Sequence, residues 1–94
     1  MPYIEKDERG MYDNEINELI LTLSDKVCDE LNIAGDLNYI ITRLTLGAYN
    51  LIKNPRYSKF NEAIGVLECC KMELYRRHTA PYEDKKIVEN GDVR

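Results

Sequence analysis

The sequence predicts an all-α protein, a three-helix antiparallel bundle with ordered N- and C-terminal arms that assembles into oligomers. Two observations predict the helices. Apolar residues recur at three- and four-residue spacing in three successive stretches, and turn chemistry separates those stretches at Gly35-Asp36 and Asn54-Pro55-Arg56. A third observation predicts the assembly: the middle stretch has a polar flank almost without charge, which an exposed monomeric helix rarely shows. The expected layout is a single domain, with an N-terminal arm over 1–12, a helical body over 13–78 and a C-terminal arm over 79–94.

The first helix is expected over 13–32. Asp13 has the side chain of an N-cap, and Ile16, Leu19, Ile20, Leu23, Val27 and Leu31 then keep helical spacing. Gly35 suits the exit of that helix and Asp36 the entry of the next, so the turn is short and the two helices run antiparallel.

The second helix is expected over 36–53, with Leu37, Ile40, Ile41, Leu44, Ala48, Leu51 and Ile52 on its apolar stripe. At a hundred degrees per residue, Asn38, Thr42, Thr45 and Tyr49 align along one flank, and Tyr39, Arg43, Leu46 and Asn50 along the outer face. Between Asp36 and Lys53 the sole charge is Arg43. That face suits contact with another subunit, and it equally suits a helix central to its own small fold.

Pro55 disfavours helical geometry at Asn54, and Ser58 is expected to cap a third helix over 58–78. Its stripe reads Phe60, Ala63, Ile64, Leu67, Cys70 and Leu74. Lys71 falls near the middle of this stripe, either laying its stem on the core and turning its ammonium outward or aiming a cation into a pocket. Pro81 is expected to stop the helix, and Asn90-Gly91 signals a turn. The tail beyond His78 is too polar for a core, yet too patterned in Tyr, Pro and turn residues for a solvated end.

Composition narrows the function. A 94-residue chain buries only about 60–70% of its unfolded surface, so partner subunits help it. Its net charge of −4 argues against a polymeric nucleic acid as partner, because phosphate backbones select basic stripes. Net charge does not exclude a small anion, since a few local Arg and Lys make a positive pocket on an acidic protein. No apolar run spans a bilayer, and the start Met1-Pro2-Tyr3-Ile4-Glu5-Lys6 lacks a signal-peptide layout, so a cytoplasmic protein without membrane contact is expected. Cys28, Cys69 and Cys70 have no CxxC spacing and read as reduced small hydrophobes; with His78 the one histidine, no zinc set is expected.

Lys71, Tyr75, Arg76, Arg77, His78 and Tyr82 form the densest group of cations and aromatics in the chain. Arg offers a planar fork for phosphate, and Tyr stacks on a base while donating a hydrogen bond. The same residues also describe an ordinary helix end, where cations complement the dipole and Glu73 and Glu83 stand ready as partners. Enzymatic readings have less to rest on. Glu62, Glu68 and Glu73 raise the thought of a magnesium-dependent nucleotide hydrolase, but Glu62 and Glu68 are six residues apart and the second helix adds no carboxylate beyond Asp36. Ser24 and Ser58 have no nearby histidine, and there is no glycine-rich phosphate loop. A non-enzymatic protein without a cofactor is expected.

Leu37-Asn38-Tyr39 with Thr42-Arg43-Leu44, Asn61-Glu62-Ala63-Ile64-Gly65-Val66-Leu67-Glu68, Glu73-Leu74-Tyr75-Arg76-Arg77, Ala80-Pro81-Tyr82-Glu83-Asp84-Lys85-Lys86 and Asn90-Gly91-Asp92 together form a pattern across nearly the whole chain. It resembles a family of small helical proteins of unknown function common in bacteriophages and prophages; the opening Met1-Pro2-Tyr3-Ile4 fits as well. The resemblance implies the functional class of phage proteins that blunt host immunity by sequestering cyclic nucleotide signals, the anti-CBASS sponges among them. Such proteins are homo-oligomers that hold their ligand between subunits. On that reading Arg43, Lys71, Arg76 and Arg77 neutralise phosphates, Tyr39, Tyr75 and Tyr82 stack on bases, and Asn38 reads a base edge. A dimer or tetramer is expected. The alternative is an acidic helical interaction module, an adaptor or inhibitor, with no small-molecule ligand.

Overall fold

The structure, a computed structural model, describes residues 3–26 and 33–94. The described residues include no β-strand, and the all-α expectation holds. The chain divides into two units, residues 1–53 and 54–94.

In the first unit a 3-10 turn over Lys6–Glu8 leads into α1, Gly10–Lys26. The helix starts earlier than the expected Asp13 cap, because the Arg9 carbonyl already accepts from the amides of Tyr12 (3.0 Å) and Asp13 (3.2 Å). Asp13 sits in the first turn, where its charge favours the positive end of the helix dipole. Thr22 and Ser24 return their hydroxyls to the carbonyls of Glu18 and Ile20, which satisfies them within the helix. Val27, Cys28 and Leu31 of the sequence reading lie outside the described residues.

Helix α2 spans Ile33–Ala48, which corrects the expectation at both ends. Gly35 and Asp36 belong to its first turn rather than to a connection, Asp36 again favouring the helix N-terminus. Its end is a Schellman motif. The Leu51 amide donates to the Leu46 carbonyl (3.0 Å), the Asn50 amide to that of Gly47 (3.2 Å), and Asn50 takes the left-handed conformation at φ 53°. Leu51, which follows the reversal, is 5% exposed, while Ile52, expected on the same stripe, faces solvent. Asn accepts the left-handed region better than other residues with a Cβ. We therefore expect Asn50→Val to lower stability by about 1–2 kcal/mol and Asn50→Gly to leave it unchanged or higher, read as urea midpoints.

The second unit holds α3, Tyr57–Leu74. Pro55 keeps the approach extended, and Arg56 (φ −140°, ψ 139°) occupies the N-cap without a side-chain cap, so Ser58 is not the capping residue. The Phe60 amide donates the first helical bond, to the Arg56 carbonyl at 3.1 Å. Of the expected stripe, Ala63 is buried at 3% exposure, whereas Phe60, Ile64, Leu67 and Leu74 remain exposed. Both Cys69 and Cys70 are free thiols, the first half-buried and the second exposed.

Pro81 does not stop the helix. Residues Tyr75–Thr79 widen into a π-turn, and α4, Ala80–Asn90, continues beyond it with helical φ and ψ through both junction residues. The cause is local. Pro81 has no amide to donate and its ring crowds the carbonyl four residues back, which a regular α-helix does not tolerate. Within the π-turn the Ala80 amide instead reaches the Tyr75 carbonyl five residues back, and the proline stands at the first turn of α4, where a missing donor costs little. The helical segment therefore extends to Asn90, where an arm was expected from residue 79. Gly91 ends it at φ 88°, its amide donating to the Ile87 carbonyl at 2.8 Å.

Candidate functional site

The candidate residues fall into two clusters, one in each unit. In the first unit α2 presents Asn38, Tyr39, Thr42 and Arg43 as two neighbouring rows, each row joining residues four apart and so about 6 Å along the axis. Arg43 Nη1 donates to the Tyr39 hydroxyl at 3.1 Å, and its guanidinium carbon lies 5.7 Å from the centre of the Tyr39 ring. The hydrogen bond with Tyr39, and then its electrostatic interaction with that residue, push the Arg43 pKa up, so the guanidinium stays charged. The Thr42 hydroxyl donates to Asn38 Oδ1 at 3.4 Å. No carboxylate of a described residue forms an ion pair with Arg43. Tyr39 as a whole is 60% exposed.

The second cluster surrounds the π-turn and differs in kind, because its cations are already paired. Lys71 Nζ is 3.0 Å from Glu68, which places the ammonium at the surface and not in a pocket. Glu73 serves two guanidinium groups at once, Oε2 at 3.0 Å from Arg76 and Oε1 at 3.6 Å from Arg77. Lys86 lies 5.6 Å from the centre of the Tyr82 ring and 3.2 Å from Glu89. These pairs are spaced three or four residues apart on exposed helix surface, where each contributes a few tenths to about 1 kcal/mol. An incoming phosphate could displace such a carboxylate at small cost.

Tyr75 joins the two sides of the π-turn. Hydrogen bonding to Glu83, and then the charge of that carboxylate, raises its phenol pKa above the ordinary value. Residues eight apart fall well out of line on a regular α-helix; the extra residue of the π-turn brings Glu83 back under Tyr75. Because the folded pKa is the higher one, the tie's contribution is fully present below the unfolded phenol pKa of about 10 and is lost as pH rises through the folded value. Ultraviolet titration should show the Tyr75 phenolate forming at higher pH than ordinary tyrosines, and Tyr75→Phe should remove the late phase.

Thus α2 gathers Asn38, Tyr39 and Arg43 and adds Thr42, which sequence reasoning placed on the flank without assigning it a role. The second unit gathers Lys71, Tyr75, Arg76, Arg77 and Tyr82 around one junction. Among the described residues no three His, Cys, Asp or Glu side chains converge as a metal-ligand group, and no helix is long and apolar enough to cross a membrane.

The fold and these clusters define a small all-α protein that displays a guanidinium, a phenol and an amide on one exposed helix face. The chain belongs to the DUF6899 family, a domain of unknown function, whose model matches residues 1–93. The expected likeness to a family of unknown function stands on that match. No curated protein and no solved structure matches the chain.

Proposed function

We propose that this protein is a non-enzymatic, phage-encoded sponge, active in the host cytoplasm, that sequesters a cyclic di- or oligonucleotide immune signal between subunits of a homo-oligomer. The observation that carries the proposal is the Arg43 face of α2. A charged guanidinium is held by a phenol rather than by a carboxylate, beside an exposed ring and an amide–hydroxyl pair. Phosphate needs the first of these, a base face the second and a base edge the third. Lys71, Arg76 and Arg77 contribute secondary phosphate contacts, with Glu68 and Glu73 giving way, while Tyr75 and Tyr82 supply further stacking surface.

Calorimetric titration of the purified protein with a panel of cyclic di- and trinucleotides tests this directly. Saturable binding is expected, with the nucleotide recovered chemically intact after the protein is denatured. No binding across the panel would end the proposal, and turnover of the bound nucleotide would replace it with the hydrolase reading.

The exposed apolar residues of α1 and α3, such as Ile16, Ile20, Ile64 and Leu74, favour a second reading. An interaction module would use such surface to hold a protein partner. It predicts a stable protein complex recovered from infected cells and no nucleotide affinity.

A further inference from the structure

We infer that Asn90-Gly91 is a deamidation site held in check by the last turn of α4. The backbone there supplies both the reactivity and the restraint. Gly91 closes the helix at φ 88°, a conformation that favours glycine, and among the described residues nothing but its chain neighbours lies within 4 Å of where a Cβ would stand. The backbone angle, not crowding, calls for glycine. The amide that follows Asn90 therefore belongs to the residue that hinders attack on the side chain least, whereas every other asparagine of the chain is followed by a residue with a side chain. Asn90 and Gly91 are both exposed to the water that the chemistry consumes.

The reaction joins the Gly91 nitrogen, once its proton has gone to solvent, to Asn90 Cγ; the bond from Cγ to the side-chain nitrogen breaks, and that nitrogen leaves as ammonia. Water then opens the cyclic imide at one carbonyl or the other, leaving aspartate or isoaspartate. The folded cap opposes the first step twice. The proton to be lost is donated to the Ile87 carbonyl at 2.8 Å. Ring closure also needs the Asn90 Cβ nearly eclipsed with the Gly91 nitrogen, at a ψ of about −120°, whereas Asn90 is the last residue of a helix, where ψ is about −42°. Opening the last turn lifts both restraints together, so conversion follows the fraction of time that turn is open. The product then keeps it open. A carboxylate at residue 90 stands at the negative end of the helix dipole, and the isoaspartate form adds a carbon to the backbone between Ile87 and Gly91.

Mass-spectrometric peptide mapping of the full-length protein, incubated at neutral pH either folded or in concentrated urea, tests the inference. Conversion of Asn90 should be roughly tenfold or more slower in the folded chain, and its product should divide into aspartate and isoaspartate forms. Val88→Pro, which breaks the last turn without touching Asn90-Gly91, should bring the rate close to that in urea. Val88→Ala introduces a better helix former and loses no burial at a position 85% exposed, so it should slow conversion about twofold. In Asn90→Asp the Gly91 amide should exchange with solvent about two- to fivefold faster than in the natural chain, each referred to its own unfolded rate. Equal rates in the folded and unfolded chains, or a Val88→Ala protein that converts no more slowly, would overturn the restraint by the helix end. Unchanged protection of the Gly91 amide in Asn90→Asp would overturn the claim that the product holds the turn open.

Discussion

Replacing Arg43 with alanine should weaken cyclic dinucleotide binding by roughly 2–5 kcal/mol, the range for removing one partner of a desolvated, hydrogen-bonded charge pair. The reason lies in what Arg43 has beside it. Its hydrogen-bond partner is the neutral Tyr39 hydroxyl, so its full charge is available to a phosphate. Arg76→Ala and Arg77→Ala should each cost less than about 1 kcal/mol, since each guanidinium must first leave Glu73. Arg43→Lys keeps the charge but loses the planar fork and the stacking on Tyr39, and should fall between the two. Isothermal titration of the four proteins ranks them. A larger loss at Arg76 than at Arg43 would move the site to the π-turn.

Leu51→Ala should lower the free energy of unfolding by about 2–5 kcal/mol, the usual cost of truncating a buried leucine. Leu51 is 5% exposed, and the Schellman motif that ends α2 fixes its position, with its own amide bonded to the Leu46 carbonyl. Truncation leaves that backbone in place and removes the apolar contacts the reversal was built to bury. Urea denaturation of the two proteins, compared at equal slope, measures the difference. Ile52→Ala, one residue further along and exposed, should change stability by less than about 0.5 kcal/mol.

The sequence made the helices legible because their apolar residues repeat at helical spacing, and it made the break at Asn54-Pro55 legible because proline acts on the residue before it. Boundaries were harder to read. Asp13 and Asp36 both have the side chain of a cap, yet each serves its helix as a charge in the first turn, a role that composition does not separate from capping. Asn50 was legible only as a polar position on the outer face of α2; its left-handed φ follows from the backbone reversal around it. Pro81 misled for a clear reason: the rule that proline breaks a helix assumes four-residue bonding, and a π-turn evades it. A signal was available. Glu83 and Asp84 precede Lys85 and Lys86, the charge order that favours a new helix beginning at the proline. In the site, the pairs Tyr39–Arg43 and Glu73–Arg76 could be read from spacing alone, whereas the Tyr75–Glu83 tie could not, because it exists only once the π-turn is present.

Between Tyr75 and Glu83 the helix holds one residue more than its faces require. A chain lacking one residue from Arg76–Thr79, and with another residue in place of Pro81, would bring the same carboxylate under the same phenol with ordinary four-residue bonding throughout. Proline and the surplus residue are therefore a matched pair of sequence changes. Relatives of this chain should gain or lose the two together, and an engineered deletion should be tolerated only when Pro81 is replaced as well.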